Sequence, residues 1–229
     1  MVHCLVTGCG KPADVIFVLD ESVRVKALDF QKLLELVGRV IRTFSTEPSM
    51  VRFGLVTFGH DVHVEFGLLN HSSAKAALES VSFLKQLQGN SRMDLALQKV
   101  REILRDDKRS GVPQIAIVVT DADSDFAGLK TEAEAARGEG IILFAVGLGK
   151  DVDLKQLEEI ASKNEFAFDD PIHEDFVPLE KSLYALICNS SEVIQPLPGG
   201  SSGHYLSLNL LNCYNKRSYN KAFKKIHIK

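Results

Sequence analysis

The sequence predicts a doubly wound α/β fold, a mostly parallel sheet with one short antiparallel edge strand and helices on both faces. Three observations predict it. Four short apolar runs rich in β-branched residues recur along the chain. Segments with helical spacing separate them. A fifth, alternating run follows one of the four too closely for a parallel return.

The four runs are "VIFVL" (15–19), "RFGLVTF" (52–58), "IAIVVT" (115–120) and "IILFAVG" (141–147). Each is too short for a helix and apolar almost throughout, as expected of strands buried on both faces. After the first, Phe30, Leu33, Leu34, Val37, Ile41 and Phe44 mark one face of a helix that stops before Pro48. "HVEF" (63–66) alternates, with Gly59-His60-Asp61 as the turn before it. That separation permits only antiparallel pairing, since a parallel crossover takes a dozen or more residues. Leu95, Leu97, Val100, Ile103 and Leu104 mark a second helix, and Phe176, Leu179, Leu183 and Leu186 a third. The expected organisation is a flank over 1–12, one domain over 13–188, a Gly/Ser/Pro-rich linker over 189–203 and a basic tail, disordered, over 204–229.

At 229 residues, 45% apolar and 25% charged, the chain can bury a sizeable core. No apolar run approaches the roughly 20 residues that span a bilayer, so no membrane insertion is expected. "MVHCLVTGCGKP" lacks the basic start and the apolar length of a signal peptide, so the chain is either intracellular or a piece of a longer one. Net charge is −3, but the tail from His204 carries six basic residues and no acid. The body therefore holds 21 of the 27 basic residues against all 30 acidic ones, a net −9. An acidic body with a short basic tail argues against a nucleic-acid-binding domain, which would carry a basic face on its globular part.

Cys4, Cys9, Cys188 and Cys213 form no C-x-x-C pair and have no histidine at zinc-finger spacing. Cys9 precedes the first strand and Cys188 follows the last helical pattern, a placement that suits a disulfide joining the ends of one domain in an oxidising compartment. Four cysteines allow three pairings, which leaves Cys4 and Cys213 open. Asn70-His71-Ser72 and Asn189-Ser190-Ser191 are glycosylation sequons. His60 and His63 flank a turn without a third ligand, and Asp169, Asp170, Glu174 and Asp175 read as acids at a helix start. Gly8 and Gly10 precede the first strand, where a dinucleotide fingerprint cannot work, and neither a G-x-S-x-G elbow nor a P-loop occurs.

In a doubly wound sheet, ligands bind outside the carboxyl ends of the strands. The first strand ends in Asp20, with Ser22 two residues on. "IAIVVT" is followed by Asp121, then Asp123, Ser124 and Asp125. "QGNSRMDLAL" (88–97) places Ser91 before a helix. Carboxylates and hydroxyls from three loops are hard oxygen donors, suited to magnesium or calcium instead of zinc.

"ADVIFVLDES", "IAIVVTDADSD" and "IILFAVGLGKDVDLKQLEEIAS" resemble, in order, the motifs of the von Willebrand factor A domain, in the style of matrix proteins such as collagen VI and the matrilins. The resemblance covers residues 9 to 188 and implies a Rossmann-like sheet with a metal-ion-dependent adhesion site. That site uses D-x-S-x-S on the first loop, a threonine on the second and an aspartate on the third, with Mg2+ or Mn2+ completed by a partner's carboxylate. Carried over, the metal residues are Asp20, Ser22, Ser91 (a serine for the threonine) and Asp121. Arg24 stands where the second serine belongs. Met93, Asp94 and Ala122 also depart from the pattern.

A guanidinium has no acceptor and cannot be neutralised. At ~5 Å and an effective dielectric of ~20 it repels a divalent ion by roughly 7 kcal/mol. The adhesion site is thereby expected to be degenerate, unless Arg24 swings to solvent or Asp94 and Glu21 compensate it. Otherwise Arg24 pairs with Asp20 or Asp121 in the cation's place. The resemblance implies a secreted, non-enzymatic adhesion module with Arg24, Asp94 and Asp123 at the partner surface. Its partners would be matrix or cell-surface proteins, collagen and other such domains among them. The alternative is an intracellular nucleotide-dependent enzyme with four reduced cysteines.

Overall fold

The computed structural model describes residues 12–43, 51–71, 73–89, 91–120, 126–148 and 152–169, all within one compact unit, Gly8–Ile194. The four cysteines, Asn189, Asp121, Asp123, Phe44, the third helical pattern, the linker and the tail lie outside the described residues.

Among the described residues six strands form one sheet: β1 (Ala13–Asp20), β2 (Val51–Phe58), β3 (Val62–Phe66), β4 (Gln114–Thr120), β5 (Ile142–Gly147) and β6 (Ala167–Phe168). Their order is β3-β2-β1-β4-β5-β6, with every pairing parallel except β2 with β3. The antiparallel strand lies beside β2, as its short return requires, and stands at the edge of the sheet. All eight residues of β1 are buried. Burial on both faces explains why its sequence is a continuous apolar run with no alternation. From β1 the chain winds outward through β2 and β3, then returns to the other side of β1 with β4. The strand order therefore reverses between β1 and β4, and the crevice of this fold opens at their carboxyl ends.

The helices are α1 (Ala27–Thr43), α2 (Ala74–Ser82), α3 (Met93–Asp106), α4 (Phe126–Gly138) and α5 (Leu154–Ile160). α1 packs on α2, α3 on α4 and α4 on α5. Phe30, Leu33, Leu36, Val37, Val40 and Ile41 give α1 its buried stripe. Ser73 caps α2 by accepting the Ala76 N–H at 3.3 Å, and Asp153 caps α5 through Lys155 N at 2.9 Å. On α3 the buried face differs from the expected one: Leu95 is exposed and Ile103 only partly covered, while Met93, Ala96, Leu97, Val100 and Leu104 fill the core. "MDLALQKV" carries apolar residues on several faces, so the contact with β1 and β2 selects the stripe.

At the amino end of the strands a buried carboxylate ties the sheet together. Asp14, fully buried, accepts from Arg52 Nε at 2.7 Å and Nη2 at 2.8 Å, and from Arg109 Nε at 3.0 Å and Nη2 at 2.6 Å. Asp14 and Arg52 are direct partners in the β1–β2 register.

Candidate functional site at the carboxyl ends of β1 and β4

Asp20 is the last residue of β1 and is fully buried. Its Oδ1 accepts the Ser22 N–H at 2.9 Å, which folds the chain back over the strand end. Its Oδ2 accepts the Thr120 hydroxyl at 3.2 Å and the Ser91 hydroxyl at 3.4 Å. Asp20, Ser22 and Ser91 are thus brought together from two loops, as expected. Thr120, the last residue of β4, joins them and was missed, although a polar residue closing "IAIVVT" was the available signal. Asp121 follows it immediately and lies outside the described residues.

The Ser22 hydroxyl oxygen is buried and has no hydrogen-bond partner among the described residues. A buried polar atom without a partner is uncommon and calls for a ligand or a water. Beside a buried carboxylate and two further hydroxyls, it suits a hard divalent cation held by oxygen atoms. No group of three or more His, Cys, Asp or Glu side chains gathers among the described residues. Hydroxyls around the Asp20 carboxylate are therefore the donors on offer here.

The departures from the adhesion pattern have separate structural outcomes. Arg24 is exposed. Met93 is completely buried in the core and offers no oxygen. Asp94 and Glu21, the two acids expected to offset Arg24, are engaged elsewhere. Arg92 donates to both oxygens of Asp94, at 3.0 and 2.9 Å, and holds that carboxyl below its usual range. Glu21 is buried. Burial pushes its carboxyl up, partly offset by the Leu87 N–H that its Oε2 accepts at 3.0 Å. Its other oxygen has no hydrogen-bond partner among the described residues. Arg92, next to the candidate ligand Ser91, puts a second guanidinium on this face.

Gln86 positions the first loop, a role no sequence motif announced. Its amide nitrogen donates towards Val25 O at 2.7 Å, Ser22 O at 3.0 Å and Glu21 O at 3.3 Å, two hydrogens shared among three carbonyls. Val23 N donates to Gly89 O at 3.0 Å, so residues 21–25 lie against residues 86–89. Replacing Gln86 by alanine is expected to cost ~1–2 kcal/mol. Gln86→Glu should cost at least as much, because a carboxylate cannot donate. A urea denaturation series ranks the two variants, and a milder Gln86→Glu would show that the clamp is packing alone.

The von Willebrand factor type A domain model matches residues 14–178. The chain belongs to that family. The human collagen alpha-6(VI) chain is 30% identical over 182 residues, covering 78% of this chain and 8% of its own length. Mouse matrilin-1 is 33% identical over 159 residues, 67% of this chain and 31% of its own. The chain thus spans a third or less of these relatives. Among solved structures, proximal thread matrix protein 1 from the mussel byssus, with zinc in its adhesion motif, superposes with a TM-score of 0.71 at 24% identity over 80% of this chain and 47% of its own. The manganese-loaded TRAP protein of Plasmodium vivax gives 0.66 at 17% identity, over 77% and 74%. At such identities they show the fold. Collagen VI and the matrilins are secreted matrix proteins, and this von Willebrand factor A domain is placed in the extracellular matrix with them. No helix among the described residues is long and apolar enough to cross a membrane.

Proposed function

We propose that the domain is a non-enzymatic protein-binding and adhesion module whose partner docks at the carboxyl ends of β1 and β4, over a degenerate adhesion site. The observation that carries this reading is the buried Ser22 hydroxyl, without a hydrogen-bond partner among the described residues, on the loop folded over Asp20, whose carboxylate also takes the Ser91 hydroxyl. Asp20, Ser22 and Ser91, with Asp121 from the next loop, would hold Mg2+ or Mn2+. The ion would supply a positive centre for an acidic side chain of the partner. Arg24 replaces a serine ligand and lowers affinity for the ion, while its planar fork can grip a partner carboxylate. Asp94, paired with Arg92, and Asp123 complete the candidate contact surface. Matrix or cell-surface proteins, including collagen and other domains of this family, are the partner class.

Exposure of Arg24 reduces the repulsion well below the roughly 7 kcal/mol reckoned at a dielectric of ~20, because water screens an exposed charge. We expect Arg24→Ser to bind Mg2+ and Mn2+ about 10- to 100-fold more tightly than the unmodified protein, equal to ~1.4–2.8 kcal/mol. Titration calorimetry of both proteins measures it. Equal affinities would overturn the role given to Arg24, and silence from both would remove the cation from the mechanism.

A further inference from the structure

We infer that Asn70 carries an N-linked glycan, and that this glycan covers the open edge of the sheet at the end of the molecule opposite the binding face. The sequon Asn70-His71-Ser72 begins four residues after the end of β3. Asn70 is exposed, on a tight turn closed by two bonds: its N–H donates to Gly67 O at 3.2 Å, and its Oδ1 accepts the Gly67 N–H. With the amide oxygen held by the turn, the amide nitrogen is the end of the side chain left for modification. His71 anchors the turn, its ring lying edge-on to Phe66 with centroids 4.6 Å apart. The acceptor therefore projects from a fixed point on the fold.

Position gives the glycan its use. Among the described residues β3 pairs only with β2, and an outer side left unpaired is a standing risk of edge-to-edge association. Val64 on β3 is 41% exposed and Leu69, beside the acceptor, 68%. The strand has neither proline nor lysine, and its own protection is limited to its five-residue length, Glu65 and the register shift at Leu55/Val56. A bulky hydrophilic oligosaccharide rooted four residues beyond Phe66 shields the edge and Leu69 together. Because β3 runs antiparallel to β2, Asn70 lies towards the amino end of the parallel strands. His71 accordingly shares a small cavity with Val51 and Arg52, at the start of β2. Asp20 and Ser22 lie at the other end, so the glycan leaves the binding face clear. In the transfer itself, the Asn70 amide nitrogen forms a bond to the anomeric carbon of a polyprenyl-diphosphate-linked oligosaccharide. The anomeric C–O bond breaks, its electron pair leaves with the diphosphate, and the amide gives up one proton.

The test is to direct the full chain through the secretory pathway of mammalian cells and treat the secreted protein with peptide-N-glycosidase F in 18O water. We expect the label at Asn70, by peptide mass spectrometry, and its loss in Asn70→Gln. Ser72→Ala should lose it too while keeping the Asn70 amide that closes the turn, and Ser72→Thr should retain it. An unlabelled Asn70 in folded, secreted protein would overturn the proposal, whatever is found at Asn189. Sedimentation velocity tests the covering role. Enzymatically trimmed protein and Ser72→Ala should self-associate as concentration rises while the glycosylated form stays monomeric. Monomers throughout would refute that role. Cation titration of the same samples should be unchanged, which separates this inference from the adhesion site.

Discussion

Asp14→Ala is expected to be among the most damaging single changes outside the apolar core, costing ~3 kcal/mol. Breaking a buried ion pair by removing one partner leaves the other charge uncompensated, at ~3–5 kcal/mol. Here one carboxylate sits between two guanidiniums, so its loss leaves both facing each other. Their residual exposure, 18% for Arg52 and 26% for Arg109, allows some rehydration and puts the expected cost at the low end of that range. Arg52→Met should be milder, since Arg109 still grips Asp14 and still donates to Ala13 O at 2.8 Å. Equilibrium urea unfolding should place the Asp14→Ala midpoint ~1.5 M below that of the parent, for a slope of ~2 kcal/mol/M. The reverse ranking, with Arg52→Met the worse variant, would mean that the arginine's bond to Asp107 O at 2.6 Å matters more than its charge.

The architecture was legible because parallel strands covered on both faces leave uniform apolar runs, and four such runs at crossover spacing admit few arrangements. β6, two residues long, and α5, seven, are too short to leave a period. The site was half legible. Asp20, Ser22 and Ser91 each lie at the end of a recognisable pattern. Gln86 and Arg92 act through neighbours that only folding supplies, so no local spacing marks them. Asp14 and Arg52 are an intermediate case. Both are the second residue of a strand, in "ADVIFVLD" and "VRFGLVTF", and opposite charges at matching positions of adjacent parallel strands were readable once the pairing was assumed. The exposure of Arg24 also required the structure, because a long side chain beside a buried carboxylate can be covered or left open to solvent.

Gly89→Ala should disturb both stability and the site, for one geometric reason. Gly89 has φ of +115°, and a Cβ there would lie 2.4 Å from His60 N and 2.5 Å from His60 Cβ. The contact is reciprocal, since a Cβ on Gly59 would lie 2.5 Å from Gln88 O. The turn before β3 and the loop before α3 therefore cross with a glycine on each side, and neither can retreat cheaply from a backbone atom. Strain of ~1–3 kcal/mol for the unfavourable φ adds to ~1–3 kcal/mol for forced displacement, so a total of ~2–6 kcal/mol is expected. Gly111 supplies the control. It too has a positive φ, +71°, but a Cβ there meets nothing within 4 Å, so Gly111→Ala should show the strain alone. Displacing Gly89 also pulls on Val23 through the 3.0 Å bond to Gly89 O, and shifts Ser91 two residues on. Introduced into Arg24→Ser protein, Gly89→Ala should weaken Mn2+ binding about tenfold or more, whereas Gly111→Ala should leave it unchanged. Equal stability losses at the two glycines would show that the crossing is soft. Unaltered Mn2+ binding with a large stability loss would separate the crossing loops from the oxygen ligands they adjoin.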